Sequence, residues 1–294
     1  MDTARLLLER GRWSVSAVAR ALGVSRPHLS AHPKAPAPRS ARRSGLADPC
    51  LEARIRGVVA RRGSYGYRRV TAILNKDQAQ PRLNPKRAYR VMRAAGLLLP
   101  RFSGGPRRVH EGKVVTPRSD MRWCSDSFEI RCWSGERVHV AFSLDCCDRE
   151  VLGWVARPAH LVSEDIQDLM AESLERRFGP GCLRVPAPLE WLTDNGPPYT
   201  AHATRAFGRE AGLTVCTTPA YSPESNGMAE AFVKTLKRDY VDGADLSSAA
   251  AVLGQLPAWV ADYNGVAPHS ALGYLAPREY RARRQEHRQE QQTD

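Results

Sequence analysis

Two acids stand out for the chemistry their surroundings allow. Asp194 closes the short apolar run in Leu192-Thr193-Asp194-Asn195-Gly196, and Glu230 ends Ser222-Pro223-Glu224-Ser225-Asn226-Gly227-Met228-Ala229-Glu230, with 35 residues between the two. Glu230 sits one turn into an amphipathic segment that carries Lys234 and Lys237 at i+4 and i+7. A third acid, Asp126, lies inside the β-rich run Trp123-Cys124-Ser125-Asp126-Ser127-Phe128, where an unpaired carboxylate is costly to bury without a cation or hydrogen-bond partners. Three carboxylates from three separate elements suit a pair of divalent ions. Hard oxygen ligands hold Mg²⁺ or Mn²⁺ ions roughly 3.5 to 4 Å apart and leave positions for water and phosphate. The chemistry implied is phosphoryl transfer, in which one ion activates water or a DNA 3′-hydroxyl and the other stabilises the leaving oxygen. Lys234 and Lys237 would then grip the DNA backbone beside the reacting phosphate.

Each acid also has an ordinary reading. Asp-Asn-Gly is common turn chemistry, and Glu230 with Lys234 makes a routine surface pair on a helix. Asp145, Asp148, Glu129, Glu190 and Glu224 are rival acids, ranked lower because they lie at turns or lack a matching basic face.

The elements that must position the three acids are legible from about residue 121 onward. Residues 121–130, 138–144 and 150–156 are short β-rich runs separated by polar turns, which predicts an antiparallel meander. A helix follows over 164–177, then a strand at 189–193, a helix at 201–211, a strand at 213–217 and a long helix over 226–241. Strands followed by alternating helices and strands give an α/β domain with a mixed sheet. Asp194 falls at the carboxyl end of the fourth strand, the edge that lines the ligand crevice in open α/β sheets.

The rest of the chain supplies a polyanion-binding character. The net charge of +13 divides unevenly, with 25 Lys and Arg against 6 Asp and Glu in residues 1–115, and 19 against 25 in residues 116–294. An Arg-rich block of this kind gains by neutralising phosphates and releasing their counterions. Residues 15–30 place Ala19, Gly23 and Leu29 at the offsets of a helix-turn-helix, with Arg26 on its second helix. Proline-rich residues 31–50 read as a basic linker. A second helical unit spans 51–98, and its third helix is the best marked, since Asn84 suits the N-cap, Pro85 the first helical position and Gly96 the end. Ala88, Val91, Met92 and Ala95 fall on one face of that helix, while Lys86, Arg90 and Arg93 fall on the other; Arg87, Arg68 and Arg69 complete the candidate DNA contacts. Residues 99–120 read as a second basic linker, 121–280 as the catalytic core with a helical extension, and 281–294 as a polar tail without apolar periodicity.

Some classes are set aside. No run of about 18 apolar residues is present and the N-terminus lacks the layout of a secretory signal, so the expectation is a cytoplasmic protein that does not enter a membrane. Seven cysteines without a Cys-x-x-Cys pair argue against a disulfide framework or a zinc site.

These residues resemble the DDE transposases of bacterial insertion sequences, specifically the second-frame (OrfB) product with a retroviral-integrase-type core. The resemblance rests on Trp123 and Asp126, on Asp194-Asn195-Gly196, on the 35-residue spacing to Glu230, and on Ser222-Pro223 with Asn226-Gly227 and Thr235-Leu236-Lys237. Downstream, Asp262-Tyr263-Asn264 and Pro268-His269-Ser270-Ala271-Leu272-Gly273 match the family's C-terminal motif, and upstream Tyr65-Gly66-Tyr67-Arg68-Arg69 and Lys86 to Met92 match its helix-turn-helix segment. Phe128 and Ala267 depart from residues common in relatives. The resemblance implies an all-α helix-turn-helix region followed by a ribonuclease-H-like core with a mixed five-stranded sheet. It further implies Asp126, Asp194 and Glu230 as ligands of two Mg²⁺ or Mn²⁺ ions, binding of terminal inverted repeats, and strand transfer into target DNA by a 3′-hydroxyl. A homo-oligomer on DNA, an upstream-frame (OrfA) partner or fusion, and a bacterial, nucleoid-associated location follow as further expectations. The alternative function is a non-catalytic DNA-binding regulator of its own element.

Overall fold

A computed structural model gives the fold and describes residues 13–23, 26, 48–100, 116–217 and 226–293. It divides into two units, residues 1–48 and 49–294. In the first, helix α1 (Val15–Ala21) is capped by Ser14, whose hydroxyl accepts the Ala17 amide at 3.2 Å. Ala19 is buried and Gly23 takes φ +63°, the left-handed turn conformation expected of it. The predicted second helix with Leu29 lies outside the described residues, apart from Arg26, which is exposed.

The second unit opens with three short helices, α2 (Pro49–Arg61), α3 (Tyr67–Leu74) and α4 (Pro85–Ala94). Pro49 begins α2 where a linker was expected to run to residue 50. Leu51, Ile55, Val58, Tyr65, Val70, Leu74 and Met92 form their common core. The local signals of α4 hold: the Asn84 side chain accepts the Lys86 amide at 2.8 Å, and Gly96 takes φ +68° just beyond the end.

The remaining elements build the larger domain: β1 (Arg122–Arg131), β2 (Arg137–Asp145), β3 (Val151–Arg157), α5 (Ser163–Phe178), β4 (Leu189–Thr193), α6 (Pro197–Thr200), α7 (His202–Glu210), β5 (Leu213–Thr217), α8 (Gly227–Asp239), α9 (Ala249–Gly265) and α10 (Pro277–Thr293). The strands form one mixed sheet of order β3-β2-β1-β4-β5, antiparallel through β1–β2 and β2–β3 and parallel through β1–β4 and β4–β5. Its two faces carry two cores. Cys124, Val140, Phe142, Leu144 and Leu192 pack against Phe232 and Leu236 of α8 and Val252 and Leu256 of α9. Trp123, Ala141, Leu152 and Trp191 pack on the other face against Ile166, Leu169, Met170 and Leu174 of α5. Burial of neighbours such as Trp123 and Cys124 on opposite faces explains why the central strands read as apolar runs.

Two expectations change. The helix predicted over 201–211 is preceded by a separate turn of helix, α6, which the Pro197-Pro198 pair starts at its first positions. The polar tail is helical as far as Thr293, because Arg278 and Arg281 reach Glu150 at 3.0 and 3.5 Å and Arg284 donates to the Pro117 carbonyl at 3.0 Å. The same contacts account for the rival acids. The Arg177 side chain, fully buried at the end of α5, meets Asp148 at 2.9 Å, Glu150 at 2.8 Å and Asp145 at 3.2 Å, so these carboxylates hold the domain together. Glu190 pairs with Arg122, and Glu129 with Arg131 and Arg137; Glu224 lies outside the described residues.

The downstream Asp-Tyr-Asn run is structural as well. Buried Asn264 accepts the Val151 amide and donates to the Val151 carbonyl, both at 2.8 Å, closing the edge of β3 as a neighbouring strand would. Among the described residues no helix is long and apolar enough to cross a membrane.

Candidate active site

The parallel ladder between β1 and β4 places two of the acids. Its last paired residues are Cys124 and Leu192, and Asp126 and Asp194 each stand two residues further on, level with one another where the strands part. Side chains repeat every second residue along a strand, so the Asp126 carboxylate falls on the face that carries Cys124, and Asp194 follows directly on the end of β4. The Cys124 face is the one covered by α8, whose Ala229, Phe232 and Leu236 are buried against the sheet. Glu230 follows Ala229 in the first turn of α8.

The three acids share an electrostatic environment. Burial pushes the Asp126 carboxyl up to about 6; a hydrogen bond from the Ser127 amide, at 2.7 Å, opposes this, and the charges of Asp194 and Glu230 push further upward. Asp126 is half-buried. Among the described residues no set of three His, Cys, Asp or Glu side chains is grouped closely enough to hold a metal ion by itself. The trio therefore interacts through space without closing into a cage. This open carboxylate set fits Mg²⁺, which retains water and is commonly bound through one or two carboxylates plus substrate phosphate.

Several neighbours fix these positions. The Asp194 Oδ1 accepts the Gly196 amide at 3.0 Å, and a Cβ on residue 196 would lie 3.1 Å from that same oxygen. Glycine at this turn thus leaves room for the carboxylate. Ser125 donates to the Phe142 carbonyl at 2.8 Å and lies 3.1 Å from the Tyr199 hydroxyl. Burial drives the Tyr199 phenol far above its ordinary range, and the charges of Asp126 and Asp194 add to the shift, so it stays protonated. At the start of α8, the side-chain amide of buried Asn226 donates to the Ser125 carbonyl at 3.2 Å. Asn226 was legible only as part of a motif; that it ties the Glu230 helix to the Asp126 strand required the fold.

The lysines stand where the helix pattern put them. Lys234 lies 3.3 Å from Glu230 with its side chain 78% exposed, so the pair is largely solvated and its charge remains open to another anion. Lys237 is exposed and sits over the Phe128 ring, 5.7 Å from its centroid, on the strand that holds Asp126.

Of the other expected DNA contacts, Lys86, Arg87, Arg90 and Arg93 are exposed on α4, and Arg68 is exposed on α3. Arg69 is a correction. Its guanidinium stacks 3.5 Å from the centre of buried Tyr65 and meets Asp239 of α8 at 2.6 Å, with its side chain only 17% exposed. It fastens the small helical unit to the core, as does Arg62, whose two nitrogens bond Asp262 at 2.5 and 2.8 Å.

Comparison with known proteins gives the family. Residues 116–223 and 211–277 match two integrase core domain families, and residues 46–101 match an HTH-like domain family. Transposase InsD for insertion element IS2A/D/F/H/I/K of Escherichia coli is 45% identical over 289 residues, covering 95% of this chain and 94% of that protein. Transposase InsD for insertion element IS2-9 of Escherichia coli (strain K12) is 44% identical, covering 95% and 92%. A chain of the simian T-cell lymphotropic virus intasome in complex with PP2A regulatory subunit B56 gamma overlays with a TM-score of 0.44 at 14% identity, over 68% of this chain and 70% of that one, too loosely to add to the assignment. With an integrase core and 45% identity along 95% of its length to an insertion-sequence transposase, the chain belongs to the transposases of bacterial insertion sequences, polynucleotidyl transferases of DNA transposition.

Proposed function

We propose that Asp126, Asp194 and Glu230 are the catalytic carboxylates, that together they hold two divalent cations, Mg²⁺ or Mn²⁺, and that the chain cuts and joins DNA strands at the terminal inverted repeats of its element. The observation that carries this reading is the level placement of Asp126 and Asp194 at the fork between β1 and β4, under the helix that presents Glu230. Bound cations would supply charge neutralisation at the reacting phosphate and a lowered pKa for the attacking hydroxyl or water.

The chain's own residues do the positioning. Gly196 admits the Asp194 carboxylate into its turn, Asn226 joins the α8 start to β1, and Lys234 and Lys237 extend from the Glu230 helix toward the DNA backbone. The exposed basic face of α4, with Lys86, Arg87, Arg90 and Arg93, is the leading candidate for contact with the element ends; Arg26, in the N-terminal unit, is a separate candidate. Transposition acts on paired ends, so the working form is an assembly of copies on DNA, alone or joined to an upstream-frame product.

The test uses the full chain with labelled element ends and Mg²⁺. The parent is expected to cleave at the repeat boundary, and Asp194→Asn and Glu230→Gln to bind the same DNA without cutting it. If either variant cleaves as the parent does, the carboxylate assignment is wrong. If the parent binds ends but never cuts them, even with the upstream-frame product, the chain acts as a DNA-binding regulator of its element.

A further inference from the structure

Beside the small helical unit is an open cavity of about 670 Å³ that no step above uses. One wall is α3 with the loop that follows it; the other is the turn at Gly273 and Tyr274 together with α10. Its acids are already engaged: Glu279 pairs with Lys76 across the cavity at 2.7 Å, and Asp77 lies 3.9 Å from Arg54. Three arginines from three different elements remain, Arg68 on α3, Arg82 in the α3–α4 loop and Arg283 on α10, all exposed and none with an acidic partner among the described residues.

The turn that forms the far wall is an unusual piece of backbone. Gly273 and Tyr274 both adopt left-handed conformations, at φ +66° and +67°. Glycine does so freely, but a tyrosine there is strained and is held by its surroundings. Here the Tyr274 amide donates to the His269 carbonyl at 2.8 Å, and Tyr274 lines the cavity together with Arg68. The Pro-His-Ser-Ala-Leu-Gly motif thus ends in a turn that lines the same groove as the three arginines. Pro85, the first residue of α4, lines the same cavity, so the arginines continue toward the exposed basic face of that helix.

We propose that this groove seats the sugar-phosphate backbone of duplex DNA, with Arg68, Arg82 and Arg283 each meeting a phosphate. The inference rests on the DNA-transposase reading and extends it to a surface shared by the helical unit and the C-terminal helix. A single small anion would engage one guanidinium, whereas a chain of phosphates engages all three. Contacts of this kind set register on the duplex without reading its sequence. The groove also requires both walls, so the Lys76–Glu279 pair makes DNA binding depend on the helical unit remaining seated on α10.

The experiment measures duplex binding by the full chain as a function of salt, for parent, Arg68→Ala/Arg82→Ala/Arg283→Ala, the matching triple Lys variant, and Arg90→Ala/Arg93→Ala. The probes are an element end, an unrelated duplex and a single strand of equal length. Each duplex phosphate contact contributes about 0.9 to the slope of log affinity against log salt, so the triple Ala variant is expected to lose about 2 to 3 from that slope. Its affinity for the element end and the unrelated duplex should fall by the same factor, and the triple Lys variant should restore both quantities. An unchanged slope, a loss confined to the single strand, or a loss confined to one duplex sequence overturns the groove. If Arg90→Ala/Arg93→Ala weakens binding while the triple Ala variant does not, the groove alone fails. If the parent binds no duplex, the proposed binding of element ends by this chain fails and takes the groove with it.

Discussion

Asn226 and Ser125, 101 residues apart in sequence, are joined by a 3.2 Å hydrogen bond from the asparagine side-chain amide to the serine carbonyl. The bond lies between the first turn of the helix carrying Glu230 and the strand residue preceding Asp126. It ties the strand of Asp126 to the helix of Glu230, two of the three proposed catalytic acids. Asn226→Ala leaves the Ser125 carbonyl unsatisfied in a buried place, at a cost of about 1–3 kcal/mol. The expected result is a modest fall in Tm with a larger fall in strand-cleavage rate at saturating DNA. A variant that cuts at the parental rate would show that the tie does not position the site.

Gly196 tests the other end of the trio. A Cβ at this position would lie 3.1 Å from the Asp194 Oδ1, closer than ordinary contact, so the carboxylate must move by a few tenths of an ångström. Displacements of catalytic groups by about 1 Å cost about a hundredfold in rate. Gly196→Ala is therefore expected to slow cleavage by about tenfold while DNA affinity and urea stability stay near parental values. Cleavage kinetics beside an equilibrium unfolding curve checks both halves.

Arg69 and the α4 arginines should separate cleanly. Arg69→Ala removes one partner from Asp239, whose side chain is 1% exposed and which keeps Arg238 and Ser64; losing one hydrogen bond to a charged group costs about 1.5–3 kcal/mol. Arg90→Ala/Arg93→Ala touches only exposed side chains and should change stability by less than about 0.5 kcal/mol, yet weaken DNA binding. Thermal unfolding and fluorescence anisotropy with labelled duplex, run on both proteins, distinguish a structural arginine from a DNA-contacting one.

The same ion pair has an acid limit. Despite opposing burial, hydrogen bonds from Arg238 and Arg69 hold the Asp239 carboxyl at about 2, against an ordinary 3.8. A carboxyl lowered on folding contributes stability that is complete above its unfolded value and lost as pH falls toward the folded one. Asp239→Asn should remove that contribution, about 2 kcal/mol at neutral pH by the size of the shift. The variant's deficit in urea unfolding should be constant from pH 7 to 5 and shrink between pH 4 and 2.

His269 acts in a higher window with the opposite charge type. Burial holds its imidazole down at about 4, helped by Arg69 and Arg149 and opposed by the Tyr263 carbonyl and Asp239. Between 6.5 and 4 the unfolded chain binds a proton that the folded one refuses, so stability falls on acidification by about 1.4 kcal/mol per pH unit. Urea unfolding at pH 7, 6 and 5 should show this slope in the parent and a shallower one in His269→Gln.

How much of this was legible beforehand depended on the range of the forces involved. Strands β4 and β5 and helix α4 were readable because their signals are local: apolar runs bounded by turns, and an Asn-Pro cap with a glycine stop. The three acids are proposed from residue type, spacing and a motif, which the sequence carries in full. Arg69 was misassigned as a DNA contact because an arginine on a short basic helix looks the same whether it faces phosphate or a distant aspartate. The polar tail shows no helical pattern in the sequence because α10 is held by ion pairs to Glu150 rather than by an apolar stripe.

The sequence by itself determined most of the sheet and helix order and the basic character of the first third, and it nominated the three carboxylates, since each follows from composition and near-neighbour pattern. Only the tertiary structure decided that Asp126 and Asp194 stand level, that Asp145 and Asp148 belong to Arg177, and that three arginines share one groove. Those relations arise from strand register and from charges paired across many tens of residues, which no local pattern encodes.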